Sequence, residues 1–475
     1  MMRARMQREA RQRDRARPEN QRGGGGWLLL SLFLLLPAIM ISSDSIVRYG
    51  LWAAGIASAL IGLWWIRTDS ASIRGWGVFF GIVTVITFVY LGGQVLQPES
   101  SSRLAATLQG TSGVASPEAA LVANASTAVA GKITTDVLAF RGNSEHSGQQ
   151  PGPAPTGNLQ LAWRFDTGGE IYSTPVIANG ILYIASKNGY LYALNAETGQ
   201  EIWRFQLTAY VVRSSPAIAE GIVFIGAGFN LFALDAKTGA QVWRVGLRYA
   251  GQSTPTIARG VVVVPSQEGW IYAFAVKTGE VRWRIPTDGV VSGAPAITGD
   301  SVAIGTDTGT VYTVKLETGQ LMWRKSMTGG VIASPAIAGK VVYFTSESGK
   351  TTAFDLSTGD VLWTAEIGGP QPPTVSDKVV VIASTDGGVH AVDAATGAAT
   401  WLYPSGKPKL AAPVLVGNTI YVGAGNTMLA LDARTGKLIT YYLANGEIET
   451  SPVVVDGFVY FGSNDGFIYA IASKD

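Results

Sequence analysis

Two patterns of apolar residues divide this chain of 475 residues. Near the N-terminus stand three long apolar runs, 27–42, 49–66 and 75–95. As helices the second and third would extend about 27 and about 31 Å, matching a hydrocarbon core of about 30 Å. The first is shorter, about 24 Å at the same rise, and Pro37 interrupts it. Beyond residue 157 the apolar runs are short, rich in Val, Ile, Tyr and Phe, and bounded by Asn-Gly, Asp-Gly or Thr-Gly pairs. Such runs predict β-strands joined by tight turns, and helical periodicity is missing there.

The strand region repeats. Trp163, Trp203, Trp243, Trp283, Trp323, Trp363 and Trp401 recur at spacings of 40, 40, 40, 40, 40 and 38. A Thr-Gly pair stands five residues before the last six of them. A seventh pair, Thr435-Gly436, precedes Thr440, which occupies the Trp position. A proline follows most tryptophans by about twelve residues: Pro175, Pro216, Pro255, Pro295, Pro335, Pro413 and Pro452, with Pro372-Pro373 in the remaining slot. Each unit reads as four strands, the first of them 173–178, 181–185, 190–195 and 201–206. A repeated proline in the first strand assigns that strand to a sheet edge, since a central strand cannot spare a ladder donor. Four strands per forty residues describe a propeller blade. The last repeat lacks a fourth strand, and an unattached strand at 159–165 stands at the start. Pairing the two closes the ring and removes an open edge. The predicted fold is an all-β eight-bladed β-propeller of four-stranded blades with end-to-end strand closure, preceded by three transmembrane α-helices.

The predicted domains are a basic cytoplasmic tail (1–26), a membrane domain of three helices (27–96), a Ser/Ala/Gly/Pro-rich linker and propeller lead-in (97–157) and the propeller (158–475). Residues 1–22 hold eight arginines against three acids, so the positive-inside rule keeps the N-terminus in the cytoplasm. Arg67 and Arg74 mark the one cytoplasmic loop, and the propeller then lies in the periplasm or outside the cell. No A-x-A site follows the first run before the next, which separates it from a cleaved signal peptide. The expected location is therefore the inner membrane, multi-pass, with lipid contacted through the helices. No span holds an ionisable residue in its apolar core, so ion transport is not indicated.

Overall charge is nearly balanced, with 36 Lys+Arg against 34 Asp+Glu, and this speaks against a nucleic-acid partner. The chain has no Cys and two His, which removes disulfides, thiolate sites and His-rich metal sites.

The run Tyr192-Ala193-Leu194-Asn195-Ala196-Glu197-Thr198-Gly199-Gln200-Glu201-Ile202-Trp203 resembles the repeat of pyrroloquinoline-quinone (PQQ)-type propellers, and 232–243 and 429–436 resemble it again. The lead-in Phe140-Arg141-Gly142-Asn143 with His146-Ser147-Gly148 is similar to that of membrane-attached bacterial members. The resemblance implies that the seven tryptophans dock between blades. One branch of the family, the quinoprotein dehydrogenases, holds PQQ and Ca²⁺ on the propeller axis with acidic residues, an Asn and a cation. These enzymes carry long insertions that the short blades here lack, and no acidic cluster with Ca²⁺-ligand spacing is present. The other branch is the non-catalytic propeller lipoprotein of outer-membrane protein assembly, whose lipidated Cys is also absent. No catalytic residue, cofactor or metal ligand is assigned.

The reading that follows is a scaffold binding one or more proteins, in envelope biogenesis or sensing. Its alternatives are a PQQ-dependent dehydrogenase and a sensor for a small ligand or glycan. Loops entering the first strand of each blade vary most, and propellers bind through such loops. They carry the candidate contacts Tyr172, Tyr210, Arg213, Arg248 and Tyr249, with Glu170, Gln252, Lys407, Lys409, Glu447 and Glu449 nearby in sequence. Trp270, with Tyr190 and Phe467, follows the Gly of a hairpin and is read either as packing or as an aromatic rim for a partner.

Overall fold

The computed structural model describes residues 133–155, 157–207, 213–247 and 254–473. The basic tail, the three apolar runs, the linker to residue 132, and Tyr210, Arg248, Tyr249 and Gln252 lie outside the described residues. Among the described residues, no helix is long and apolar enough to cross a membrane.

Among the described residues, thirty-two strands form eight four-stranded antiparallel sheets. Seven sheets follow chain order, from blade 1 (176–206) to blade 7 (414–443). Blade 8 combines Val453–Val455, Phe458–Gly462 and Phe467–Ser473 with Leu159–Asp166 from the start of the propeller. That pairing runs from Leu159 opposite Ser473 to Asp166 opposite Phe467 and closes the ring.

In blade 1 the three outer strands occupy Ile181–Ala185, Tyr190–Asn195 and Glu201–Gln206. The innermost is shorter than its sequence suggests, Val176–Ala178 instead of 173–178. The cause lies in residues 173–175. Pro175 has no N–H to give, the Ser173 hydroxyl accepts from Ala185 N–H, and Thr174 N–H donates to Ser215 Oγ of the next blade. The middle strands are buried at nearly every position because a neighbouring blade covers each face, whereas the outer strands alternate. That explains near-continuous apolar runs in place of a period of two.

Each tryptophan lies at the seam with the following blade. Trp163 Nε1 donates to Ala196 O, Trp203 to Ala236 O, Trp243 to Val276 O and Trp283 to Leu316 O. Trp323, Trp363 and Trp401 donate to Leu356, Ala394 and Ala433 O. The indole lies against the Gly of the facing Thr-Gly turn, so closely that a Cβ on Gly319 would stand 2.8 Å from Trp283 Cε3. That Gly also has φ +70°, a backbone that L side chains rarely adopt.

The lead-in is built into the propeller, which no periodic pattern announces. It runs across the end of the central channel on the side of the inner-strand turns and offers acceptors to the inner edges of the blades. Ile177, Ile218, Ile297, Ile337, Val375 and Leu415 N–H donate to the carbonyls of Val137, Leu138, Ser144, Glu145, Ser147 and Gly148. Val454 N–H donates to Gln150 Oε1 at 2.6 Å, and His146 Nε2 lies 3.2 Å from Thr256 Oγ1 in blade 3. All eight blades are thereby touched by one segment. Unpaired backbone donors buried on a channel wall are costly, and the lead-in satisfies them.

Candidate functional site

With the lead-in bonded along the inner strands, a funnel-like cavity remains around the axis. The residue before each repeat proline faces the axis: Thr174, Ser215, Thr254, Ala294, Ser334, Pro372, Ala412 and Ser451. The cavity they surround, of about 180 Å³, has Phe140 of the lead-in in its wall. Its hydroxyls are already committed to joining blades. Ser215 N–H donates to Thr254 Oγ1 (3.0 Å), Ala294 N–H to Ser334 Oγ (2.7 Å) and Ser451 N–H to Thr174 Oγ1 (3.2 Å). The wall is therefore polar, and most of its hydroxyl oxygens already accept a backbone N–H of a neighbouring blade.

The charged groups stand around the mouth. Tyr172 and Arg213 come together there, the guanidinium 4.7 Å from the ring centroid. Glu170 accepts from Lys187 Nζ at 2.5 Å and from Tyr172 OH at 3.1 Å. Those two bonds, that from Lys187 first, hold the Glu170 carboxyl below its ordinary range, while burial pushes the Tyr172 phenol up. On the loops entering blades 7 and 8, Lys409 lies 3.4 Å from both Glu447 and Glu449, and these carboxylates raise its pKa. Glu449 also accepts from Asn464 Nδ2. Pro370, Gln371, Lys409 and Glu449 line a second hollow of about 290 Å³ that continues from the axis over blade 6, where the entering loop is short.

Trp270 is not part of this mouth. It opens the third strand of blade 3 beneath the Arg284 guanidinium, 5.3 Å from its ring, as Tyr190 lies under Arg204 and Phe467 under Arg164. In each case the arginine directly follows the seam tryptophan of the same blade.

Sequence reasoning passed over three features. Phe140 in the funnel wall and the Ser/Thr set before the prolines are two of them; the second was visible once the repeats were aligned. The third is the pair Arg141 and His146, both fully buried in the lead-in. The Arg141 guanidinium donates to Pro373 O, Thr374 Oγ1 and Pro413 O, tying blade 6 to blade 7. Burial lowers its pKa to about 9. Burial, then the neighbouring Arg141 charge, lowers His146 to about 3, so its imidazole is neutral.

The family profile described as "Outer membrane protein assembly factor BamB" matches residues 154–230, 213–403 and 404–475. The chain belongs to the BamB family. A curated relative, the outer membrane protein assembly factor BamB of Yersinia pestis, is 35% identical over 71 residues, 14% of this chain and 18% of that protein. The match thus spans less than a fifth of the relative. Among solved structures, BamB from Moraxella catarrhalis superposes with TM-score 0.57 at 22% identity, over 66% of this chain and 100% of that one. Quinohemoprotein alcohol dehydrogenase from Comamonas testosteroni gives TM-score 0.62 at 16% identity, over 74% and 84% of the two chains. At these identities the likeness is one of fold.

The second resemblance calls for a test of the quinone site on this chain's own residues. Among the described residues lining the funnel, the one carboxylate is Glu449, already shared between Lys409 and Asn464. Among the described residues no group of three His, Asp or Glu side chains is placed to hold a cation. The Thr174, Ser215, Thr254 and Ser334 hydroxyls each accept a neighbouring backbone N–H, and that of Ser451 donates to Ala412 O. These residues do not fit PQQ with Ca²⁺, whose binding needs several free carboxylate and amide oxygens.

Proposed function

We propose that this protein is a non-catalytic propeller, anchored in the inner membrane by its three apolar runs, which docks another protein at the open funnel mouth within the cell envelope. The reading is supported chiefly by the asymmetry of the channel. The lead-in bonds to the inner edges of the blades on one side, while the other gathers Glu170, Tyr172, Lys187, Arg213, Lys409, Glu447 and Glu449 around a shallow cavity where, among the described residues, no carboxylate pair is arranged for acid–base work. An exposed rim of mixed charge around an aromatic residue suits a protein surface. No cofactor is required. Topologically, the arginine-rich tail stays in the cytoplasm and the propeller outside it.

A photoreactive amino acid at Arg213 tests the docking face in intact cells. It should give a discrete protein adduct that the same probe at Asp377, on an inner-strand turn, does not. Equal adducts at both positions would count against the funnel mouth. Protease added to spheroplasts should remove the propeller and spare the tail. Purified protein given PQQ and Ca²⁺ should reduce no dye with alcohols or sugars, and turnover would favour the dehydrogenase reading.

A further inference from the structure

The outer strand of a propeller blade has an unpaired backbone edge, and proteins blunt such edges with charge, proline or bulges. Here the positions one before, one after and three after the Trp position form a row along one face of that strand. In blades 1, 2 and 4 the row holds Arg204, Arg244 and Arg324. Blade 3 has Arg282, Arg284 and Pro286, blade 5 Glu366, blade 6 Pro404, and blade 8 Arg164 with Asp166. Blade 7 alone has neither charge nor proline: its row is Ile439, Tyr441 and Leu443. These are 41%, 52% and 57% exposed, and Leu438 beside them is 43% exposed. Each other outer strand exposes at most two large apolar side chains. The opposite face of the strand is occupied, since Tyr442 packs on Phe461 and Tyr469 of blade 8.

The end of this strand is also distinctive. Of the seven Thr-Gly turns, only Arg434-Thr435-Gly436-Lys437 carries a cation on both sides. Both cations are exposed, and among the described residues neither makes an ion pair.

We propose that the outer edge of blade 7, Leu438–Leu443, is a strand-addition site for an extended polypeptide segment with an uncharged apolar row and a carboxylate at the end that meets Arg434 and Lys437. Backbone hydrogen bonds to the free edge supply affinity, the apolar row sets register, and the two cations fix direction. This surface is separate from the funnel mouth, and either can fail without the other.

The test uses the full chain in detergent micelles and a fluorescein-labelled nine-residue peptide of alternating Val and Thr ending in two Asp. Anisotropy should show saturable binding. Tyr441→Arg, which installs the residue that blades 1 to 4 already tolerate at this position, should weaken it by about tenfold or more with an unchanged melting temperature. Arg434→Gln with Lys437→Gln should weaken it about two- to fivefold and leave binding of an Asn-ended peptide unaltered. The proposal is overturned if Tyr441→Arg binds as the wild type does, or if no saturable binding occurs. It is equally overturned if sedimentation shows a dimer that Tyr441→Arg dissociates, for the edge is then filled by a second copy.

Discussion

The seam between blades 7 and 8 differs from the other seven in what fills it. At each of the seven, an indole lies on the Gly of a facing Thr-Gly turn and donates to a carbonyl in that turn. Blade 8 has no such turn, because its third strand ends at Ser473 and its fourth is Leu159–Asp166, from the other end of the propeller. An indole there would have nothing to stack on, and Thr440 stands in its place. The lead-in supplies the missing parts. Pro155 O accepts from Tyr421 OH, as Ala236 O of an ordinary turn accepts from Tyr183 OH. Ala154 packs against the apolar cluster of Val416, Tyr421 and Tyr469. A repeat can encode its own seam only where the chain runs on; where the ring is closed by two ends, a non-repeating segment has to do it.

The contrast can be broken at several points. Trp283→Ala should cost the most, about 3–5 kcal/mol, the range for truncating a buried aromatic, measured by urea denaturation. Gly319→Ala should cost about 2–3 kcal/mol, because its Cβ meets Trp283 and the backbone has positive φ. On the lead-in side the probe is pH. His146 has a folded-state pKa lowered to about 3 from 6.5, so only the unfolded chain takes up its proton below about pH 6.5. Stability due to this group is complete above that pH and is lost as pH falls toward 3, by about 2 kcal/mol at pH 5. His146→Asn, which tolerates the local φ of 52°, should flatten that slope while leaving the carboxylate contributions. Tyr421→Phe should cost about 1 kcal/mol. Thr440→Ala, at the Trp position of the exceptional seam, should stay within about 0.5 kcal/mol. A cost comparable to that of Trp283→Ala would show that Thr440 carries that seam.

Much of this was legible because it is periodic. The tryptophans, the Thr-Gly pairs, the unattached strand at the start and the missing fourth strand of the last repeat together specify blade number and closure. The inner strand came out short because Pro175 and the hydroxyls beside it serve neighbouring blades instead of their own ladder. The lead-in was not legible for a related reason. Its carbonyls bond to backbone donors, which carry no side-chain signature, and the resemblance that singled out Arg141 and His146 did not indicate that both are buried. Of the proposed contact residues, Tyr172 and Arg213 meet at the funnel, whereas Trp270 lies under Arg284, because the seam-following arginines cover the aromatic that starts the third strand.

Closure by the two ends of the propeller is the claim on which the rest depends, and a chain without cysteine allows a clean test of it. A Cβ at Gly157 would lie 3.2 Å from Ser473 Cβ, close to the spacing of about 3.5–4.5 Å that a disulfide requires. In Gly157→Cys with Ser473→Cys, mild oxidation should form the bond in the folded monomer, seen by mass as loss of two hydrogens and by loss of alkylatable thiol. Two thiols that stay reduced and alkylatable in folded protein would contradict the closed ring.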